Sequence, residues 1–123
     1  MAKTKIITIP IAVNNGTAAN TALSFSKSLK SGDSSFKKVK GFGLAIQSDG
    51  GVDFDVQLEP VAGKPLIDYV SKEYLRIGAN TKPDERLLSV EFDIPNEDTV
   101  VVIRPRANLT SNMVCQAIFL LEQ

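Results

Sequence analysis

The sequence predicts an all-β fold, an antiparallel β-sandwich of seven or eight strands with jelly-roll or Greek-key connections and one short helix. Apolar residues recur at every second position along most of the 123 residues, which is the spacing of a strand with one buried face. Clusters of Asn, Asp, Gly and Pro separate these segments, as turns require. A chain of this length forms one hydrophobic core. We therefore expect residues 1–123 to be a single β-sandwich domain.

Seven segments carry the strand pattern, in chain order. The first, "TKIITIPIAV", ends at Val13, and the second runs from Leu23 to Leu29. Residues 40–59 supply the third and fourth, and residues 88–94 supply the fifth. The last two are the apolar runs "TVVVIRP" and "NMVCQAIFLLE".

Residues 65–77 follow a different period. Leu66, Val70, Tyr74 and Ile77 recur at intervals of three or four, which is the spacing of one helix face. A proline is favoured in the first turn of a helix. The pattern predicts a short helix beginning near Pro65, and a short strand over 74–77 remains an alternative for its end.

Residues 40–59, "KGFGLAIQSDGGVDFDVQLE", predict a β-hairpin. Ser48-Asp49-Gly50 fits a three-residue turn whose glycine takes the left-handed region. The resulting register places the large apolar residues on one face: Phe42 opposite Val56, Leu44 opposite Phe54 and Ile46 opposite Val52. The other face carries small and acidic residues: Gly41, Gly43, Ala45, Asp53 and Asp55.

The small and acidic face has two interpretations. In the first, Gly41, Gly43 and Ala45 leave a shallow trough beside Asp53 and Asp55, into which a neighbouring subunit or loop packs. Basic residues of an adjacent copy would then meet the two carboxylates. In the second, the face is solvated, and the glycines serve strand curvature or a bulge near Gly41.

The composition argues against catalysis. The chain has no histidine, so it lacks the usual general base near neutral pH and a common metal ligand. Cys115 lies in an apolar run without adjacent cations, as a buried structural thiol does. Asp49, Asp53 and Asp55 are an oxygen cluster of the type that binds calcium, but they alternate with core residues as on a solvated strand. We expect no enzyme activity, no small-molecule substrate and no metal or other cofactor.

The charge balance gives no sign of a nucleic-acid or membrane partner. Fourteen basic and fourteen acidic residues sum to zero net charge, so no global field attracts polyanions. A basic cluster, Lys27, Lys30, Lys37, Lys38 and Lys40, has few aromatic residues beside it for base stacking. We expect no specific nucleic acid, no membrane span and no signal peptide, because Thr8 and Pro10 interrupt the first apolar segment.

The last strand is apolar on both faces. Met113, Cys115, Ala117, Phe119 and Leu121 share one face, and Val114, Ile118 and Leu120 share the other with Gln116. A two-layer sandwich buries one face of each strand, so the second face needs a cover. That cover is either another protein surface or the helix and long connection of this chain. The candidate interface is therefore the set Val114, Ile118, Leu120, Gly41, Gly43, Ala45, Asp53 and Asp55.

The whole domain, from "TKIITIPIAV" to "QAIFLLEQ" with turns but no catalytic motif, resembles the small single jelly-roll proteins of virus capsids, of the penton or minor capsid type. The resemblance is architectural, and the seven predicted strands are one fewer than that family has. It implies a non-enzymatic structural subunit that forms homo-oligomers and contacts other structural proteins in a virion assembled in the host cytoplasm; without a virus, the expected location is the cytoplasm. The alternative is a lectin-like, carbohydrate-binding sandwich, although Tyr69 and Tyr74 are its only tyrosines and it has no tryptophan.

Overall fold

The computed structural model describes residues 3–30, 35–77 and 87–123, and within these residues the chain forms eight β-strands and one 3₁₀ turn. The strands are β1 Thr4–Val13, β2 Leu23–Lys27, β3 Lys38–Asp49, β4 Phe54–Glu59, β5 Ile67–Ser71, β6 Leu88–Asp93, β7 Thr99–Pro105 and β8 Met113–Glu122. The 3₁₀ turn spans Lys72–Tyr74. The all-β prediction is confirmed.

The strands form two four-stranded antiparallel sheets that pack face to face. The first sheet has the order β1-β8-β3-β6 and the second has the order β2-β7-β4-β5. Each strand of the first half pairs with its counterpart in the second half: β1 with β8, β2 with β7, β3 with β6 and β4 with β5. This nested order is that of an eight-stranded jelly roll.

The prediction that β3 and β4 pair as a hairpin is wrong. The two strands lie in different sheets, and Gly50 and Gly51, both in the left-handed region at φ 75° and 78°, turn the chain from one sheet to the other. The predicted inward side is correct, because Phe42 and Phe54 are fully buried. Their side chains line the two opposing walls of the core. A period of two specifies which side of a strand is buried, but it does not specify the neighbouring strand.

The helix predicted over 65–77 is also wrong. Residues 67–71 form β5, which pairs with β4, and only the three residues after it are helical. Two of the positions assigned to the buried helix face are exposed, Leu66 by 48% and Tyr74 by 77%. The alternative strand over 74–77 is reduced to a single parallel bridge between Leu44 and Arg76.

The core fills the space between the two sheets. Alternate residues of β8, from Met113 to Leu121, are buried as predicted. The rings of Phe42 and Phe119 lie 5.0 Å apart between their centres, a distance at which aromatic pairs attract. Burial of each such large side chain contributes about 1.5–3 kcal/mol, so this layer supplies a large part of the driving force for folding.

Strand β3 contains two irregularities in its pairing with β8. The register shifts between Val39 and Gly41 and again between Ile46 and Ser48. The first shift is a bulge next to Gly41, where the second interpretation of this face placed one. Because one residue is extra at that point, Val39 and Phe42 both face the core and are fully buried.

The connections that follow β1, β3 and β7 meet at one end of the sandwich. The Asn112 side-chain oxygen accepts a hydrogen bond from the Asn15 backbone N–H at 2.8 Å, and the Ser48 hydroxyl donates to the Asn112 carbonyl at 2.8 Å. The Thr110 N–H donates to the Gly50 carbonyl at 3.0 Å. These bonds satisfy backbone groups that turns leave unpaired and fix the three connections relative to one another.

Gly43 supports a prediction about stability. A Cβ at this position would lie 2.8 Å from Leu87 Cδ2 and 3.2 Å from Ile77 Cγ1, so Gly43→Val forces both side chains aside. We expect a loss of about 1–3 kcal/mol in the free energy of unfolding, as for other overpacked sites, measured by urea titration. The matched control is Ala45→Val, two residues along on the same face, which should change stability by less than about 0.5 kcal/mol. Equal urea midpoints for the two variants would contradict this packing.

Candidate functional site

The candidate site is the outer face of the first sheet. Its central part, which we call the outer strip, consists of the outward residues of β1 and β8: Ile6, Thr8, Pro10, Ala12, Val114, Gln116, Ile118 and Leu120. None of these side chains is ionisable. Ile6 is 48% exposed and Val114 is 39% exposed. Depletion of charge is a property of interface cores, so the strip has the composition of a contact surface.

The outer strip continues across β3. Gly41 pairs with Leu120, Gly43 with Ile118 and Ala45 with Gln116. Six of the eight predicted interface residues therefore share one face: Val114, Ile118, Leu120, Gly41, Gly43 and Ala45. The structure therefore places these six residues on one surface.

The predicted trough at Gly41 and Gly43 is filled by this chain. A Cβ on Gly41 would lie 3.1 Å from Leu87 Cβ, and Gly43 is covered by Leu87 and Ile77. The Leu44 N–H donates to the Leu75 carbonyl at 2.8 Å, and the Ile77 N–H donates to the Leu44 carbonyl at 2.9 Å. Ile77 and Leu87, both in the β5–β6 connection, thus fill the space of the side chains that the glycines lack. The cover that the sequence offered as an alternative for the outer face of the last strand thus lies over β3, while Val114 of β8 stays 39% exposed.

A shallow groove remains next to this filled region. It has a volume of about 430 Å³, and its lining includes Ala45, Gln47, Ile77, Val114 and Gln116. The small side chain of Ala45 forms part of its floor. The groove lies at the half of the outer strip nearest to the connections after β1, β3 and β7.

Charged residues border the opposite half of the strip. Glu91 accepts hydrogen bonds from Lys40 at 2.8 Å and from Lys38 at 3.2 Å. The hydrogen bond from Lys40, and to a smaller extent the one from Lys38, holds the pKa of the Glu91 carboxyl below its ordinary value. Two lysines of the predicted basic cluster therefore have a carboxylate partner. A third, Lys27, donates to the Thr8 carbonyl at 3.1 Å.

Asp53 and Asp55 lie away from the glycines of β3. Asp55 belongs to β4 in the second sheet, and its side chain is only 14% exposed. Arg106 of the same chain donates to both of its oxygens, from Nη2 to Oδ1 at 2.6 Å and from Nε to Oδ2 at 3.2 Å. This bidentate pair is of the strong type. The trough between Gly41 and these aspartates is therefore not formed, and the partner expected from an adjacent copy is supplied within the chain.

Asp49 and Asp53 both contact a buried lysine that was not predicted from the sequence. Lys72, in the 3₁₀ turn, is 3% exposed, and its ammonium lies 2.7 Å from Asp49 Oδ2 and 3.4 Å from Asp53 Oδ1. It also donates to the Val52 carbonyl at 3.3 Å and lies 5.5 Å from the centre of the Phe54 ring. Lysine is almost never buried without such partners. The cluster fixes the β3–β4 turn to the end of β5.

A sequence signal for Lys72 does exist. Val70 faces Val56 in the β4–β5 pair, and the period of two continues from Val70 to Lys72. Assignment of residues 67–71 to a strand would have directed this lysine to the core. The helical period assigned to Leu66 and Tyr74 obscured that signal.

The remaining candidate groups are the Cys115 thiol and the aromatic ring of Tyr69. Burial raises the pKa of the Cys115 thiol to about 12, which suppresses the reactive thiolate. The Arg104 guanidinium lies 3.8 Å above the Tyr69 ring and occupies one face of that ring. Among residues 3–30, 35–77 and 87–123, no group of three or more metal-ligating side chains is present.

Comparisons with known proteins do not assign a family. No protein-family model matches the sequence, and a search of curated proteins finds no significant match. In the part of the chain that the structure describes, no helix has the length and apolar character needed to cross a bilayer.

Lys72 carries the first prediction from this site. Lys72→Met keeps a similar length but removes the ammonium that pairs with Asp49 and Asp53. Breaking a buried ion pair costs about 3–5 kcal/mol, but these carboxylates are 38% and 67% exposed. We therefore expect about 1–3 kcal/mol lower unfolding free energy in urea titrations. Lys64→Met at an exposed position is the control, and equal losses in both variants would contradict a special role for Lys72.

The same pair predicts a pH dependence. Hydrogen bonds from Lys72 and from the Gly51 N–H hold the pKa of Asp49 below its ordinary value of 3.8. A carboxylate with a lowered folded-state pKa stabilises the fold above its unfolded pKa, and this contribution is lost as the pH falls through the folded value. The stability difference between wild type and Lys72→Met should therefore narrow below about pH 4. A difference that stays constant from pH 7 to pH 2 would be inconsistent with this pair.

The paired aspartates also predict the response to metal. Because Lys72 already pairs with Asp49 and Asp53, and Arg106 pairs with Asp55, calcium would have to displace a cation. Neither EDTA nor added calcium chloride should change the melting temperature measured by scanning calorimetry. A rise of several degrees with calcium would overturn this expectation, because a ligand that binds only the folded state stabilises it by mass action.

Proposed function

We propose that this protein is a non-enzymatic structural subunit that assembles with copies of itself, of the kind that builds virus capsids. The observation that carries the proposal is the uncharged outer strip on one face of a jelly roll. In this proposal Val114, Ile118 and Leu120 contact a neighbouring subunit. The expected location is the virion.

The fold supports the capsid assignment by analogy. Jelly rolls of eight strands are common in viral capsid proteins, and the nested order β1-β8-β3-β6 and β2-β7-β4-β5 is of that type. Because one fold can host unrelated functions, the fold alone supports the capsid class only by analogy. The uncharged outer strip is the physical support for self-assembly.

The free edge of β1 supports contact through a face. Proline is tolerated in strands where its missing N–H would point away from the ladder, and Pro10 lies within β1, at the edge of its sheet. Nearby, the Lys27 ammonium donates a hydrogen bond to the Thr8 carbonyl. Proline and lysine are the residues that protect edges from strand addition. A second copy therefore finds the outer strip more accessible than this edge.

The side-chain chemistry supports a structural role over an enzymatic one. The chain has no histidine, its single thiol is buried with a raised pKa, and the Asp49 and Asp55 carboxylates are paired with Lys72 and Arg106. A general base or a nucleophile needs a pKa near the working pH and access to substrate. None of these groups meets both conditions.

The lectin-like alternative receives less support. Sugar platforms use exposed flat aromatic faces. Arg104 covers one face of Tyr69, and Tyr74, although 77% exposed, lies in the short 3₁₀ turn. No observation on the described residues favours this alternative over self-assembly.

The experiment is sedimentation velocity over a concentration series from micromolar to millimolar. Wild type should show an increasing fraction of dimer or larger species. The variant Thr8→Lys with Val114→Lys places two charges on the outer strip, and desolvation of unpaired charges should abolish the association. The matched control, Ser24→Lys with Ser26→Lys on exposed positions of β2, should associate like wild type. A wild type that stays monomeric throughout the series would refute the proposal.

A further inference from the structure

We infer that a charge-free surface at one end of the sandwich, which we call the neutral surface, packs against the same surface of a second copy. It consists of the connections 14–22 and 107–112 and four adjoining outward residues of β1 and β8: Pro10, Ala12, Val114 and Gln116. This contact presupposes the proposed self-assembly and adds its place on the molecule and the surface that it meets.

Charge is absent from two long stretches of the sequence. Residues 6–22 and residues 107–121 contain no Asp, Glu, Lys or Arg, and all fourteen basic and fourteen acidic residues lie outside them. The surface of a small domain usually has such residues at about 25–35% of its positions. Depletion of charge is instead a property of surface that another protein covers.

The fold joins these two stretches along their length. Their strands pair as β1 and β8. Beyond the strands, the Asn108 side-chain oxygen accepts a hydrogen bond from the Ala19 N–H at 2.9 Å, and the Leu109 N–H donates to the Thr17 carbonyl at 3.0 Å. The two stretches therefore form one continuous surface. These bonds hold it in one conformation, which reduces the entropy that association costs.

The neutral surface has the size of a stable contact. Sixteen of its residues are exposed, and Thr17 and Ala19 are half-buried. A contact of standard size involves about 20–30 residues on each partner and buries about 800 Å² of each. The neutral surface is close to the lower end of that range.

The composition of the neutral surface selects an uncharged partner. A charged side chain placed against it would lose its water without gaining an opposite charge, which is unfavourable. Amide side chains such as those of Asn14, Asn20 and Gln116 instead offer a donor and an acceptor together. Two surfaces of this composition can therefore satisfy each other's hydrogen bonds.

Two other faces of the chain do not meet this condition. The outer face of the second sheet carries Asp55 and Arg104, and the first sheet carries Glu91 with its two lysines beside β6. Packing the neutral surface against either face would bury these charges, whereas packing it against itself leaves them in water. The result is a contact in which both subunits use the same patch, which is the arrangement of two-fold dimers.

Charged groups at the borders of the neutral surface are already bonded within the chain. Lys27 donates to the Thr8 carbonyl beside β1. Arg106, which precedes the connection 107–112, and Lys72, at the β3–β4 turn, are each paired with a carboxylate. A polar and solvent-accessible rim is usual around a protein contact. These groups therefore remain hydrated when the centre of the surface is covered.

Charge variants test whether the neutral surface meets itself. The basic variant carries Ala18→Lys and Ser111→Lys, and the acidic variant carries Ala18→Glu and Ser111→Glu, at two exposed positions. In sedimentation velocity at low salt, each variant alone should associate about tenfold more weakly than wild type, because like charges meet. An equimolar mixture should recover association to within about threefold of wild type, because opposite charges then meet.

The matched controls place the same charges on exposed positions of β2. They are Ser24→Lys with Ser26→Lys, and Ser24→Glu with Ser26→Glu, and both should associate like wild type. Recovery in the mixture of basic and acidic variants would also show that both are folded.

The outcomes separate this contact from self-assembly in general. A basic variant that associates like wild type would show that another surface is used, and would overturn the inference while self-assembly stands. Loss of association in both variants without recovery in the mixture would show that the neutral surface does not meet itself. A wild type that stays monomeric at millimolar concentration would instead refute the proposed function.

Discussion

The insertion of β8 between β1 and β3 is the constraint on which the rest of the structure depends. Ten residue pairs join β8 to β1 and ten join it to β3, so the last strand lies in the interior of the first sheet, next to the first strand at its edge. Phe119 and its inward neighbours then form one wall of the core, and the outward residues form the outer strip. Because these partners are distant in sequence, the fold forms by long-range contacts, which slow folding relative to local structure.

The sequence predicted which residues are buried more reliably than which strands are neighbours. Alternation identified Phe42, Leu44, Phe54 and Val56 as inward residues because burial depends on the strand's own period. The partner of a strand depends on where the chain crosses between sheets, and a glycine-rich turn permits a hairpin and a crossing equally well. Gly50 and Gly51 form a crossing, so β3 and β4 pack through the core. The helix predicted over 65–77 was wrong because apolar spacing alone does not distinguish an exposed Tyr74 from a buried one.

The position of a candidate residue could be predicted from the sequence where the alternation of side chains along its own strand determined it. Val114, Ile118 and Leu120 lie on the face that period two assigned to them, and Ala45 joins them through the β3–β8 register. Asp53 and Asp55 were misplaced because their position beside the glycines depended on the incorrect hairpin. Lys72 was missed for a different reason: its burial is compensated by Asp49 and Asp53, which are 23 and 19 positions away in sequence. Such compensation is visible only after the turns are placed.

The filling of Gly41 and Gly43 by Leu87 and Ile77 has a consequence for sequence divergence. Side-chain volume at one point of the surface is contributed by a different part of the chain, so the two parts are not free to vary independently. In related chains, a larger residue at position 43 should be accompanied by a smaller one at position 77 or 87. The β5–β6 connection should therefore tolerate changes in length more readily than changes at its two anchoring side chains. Covariation between these distant positions would be the record of this shared volume in evolution.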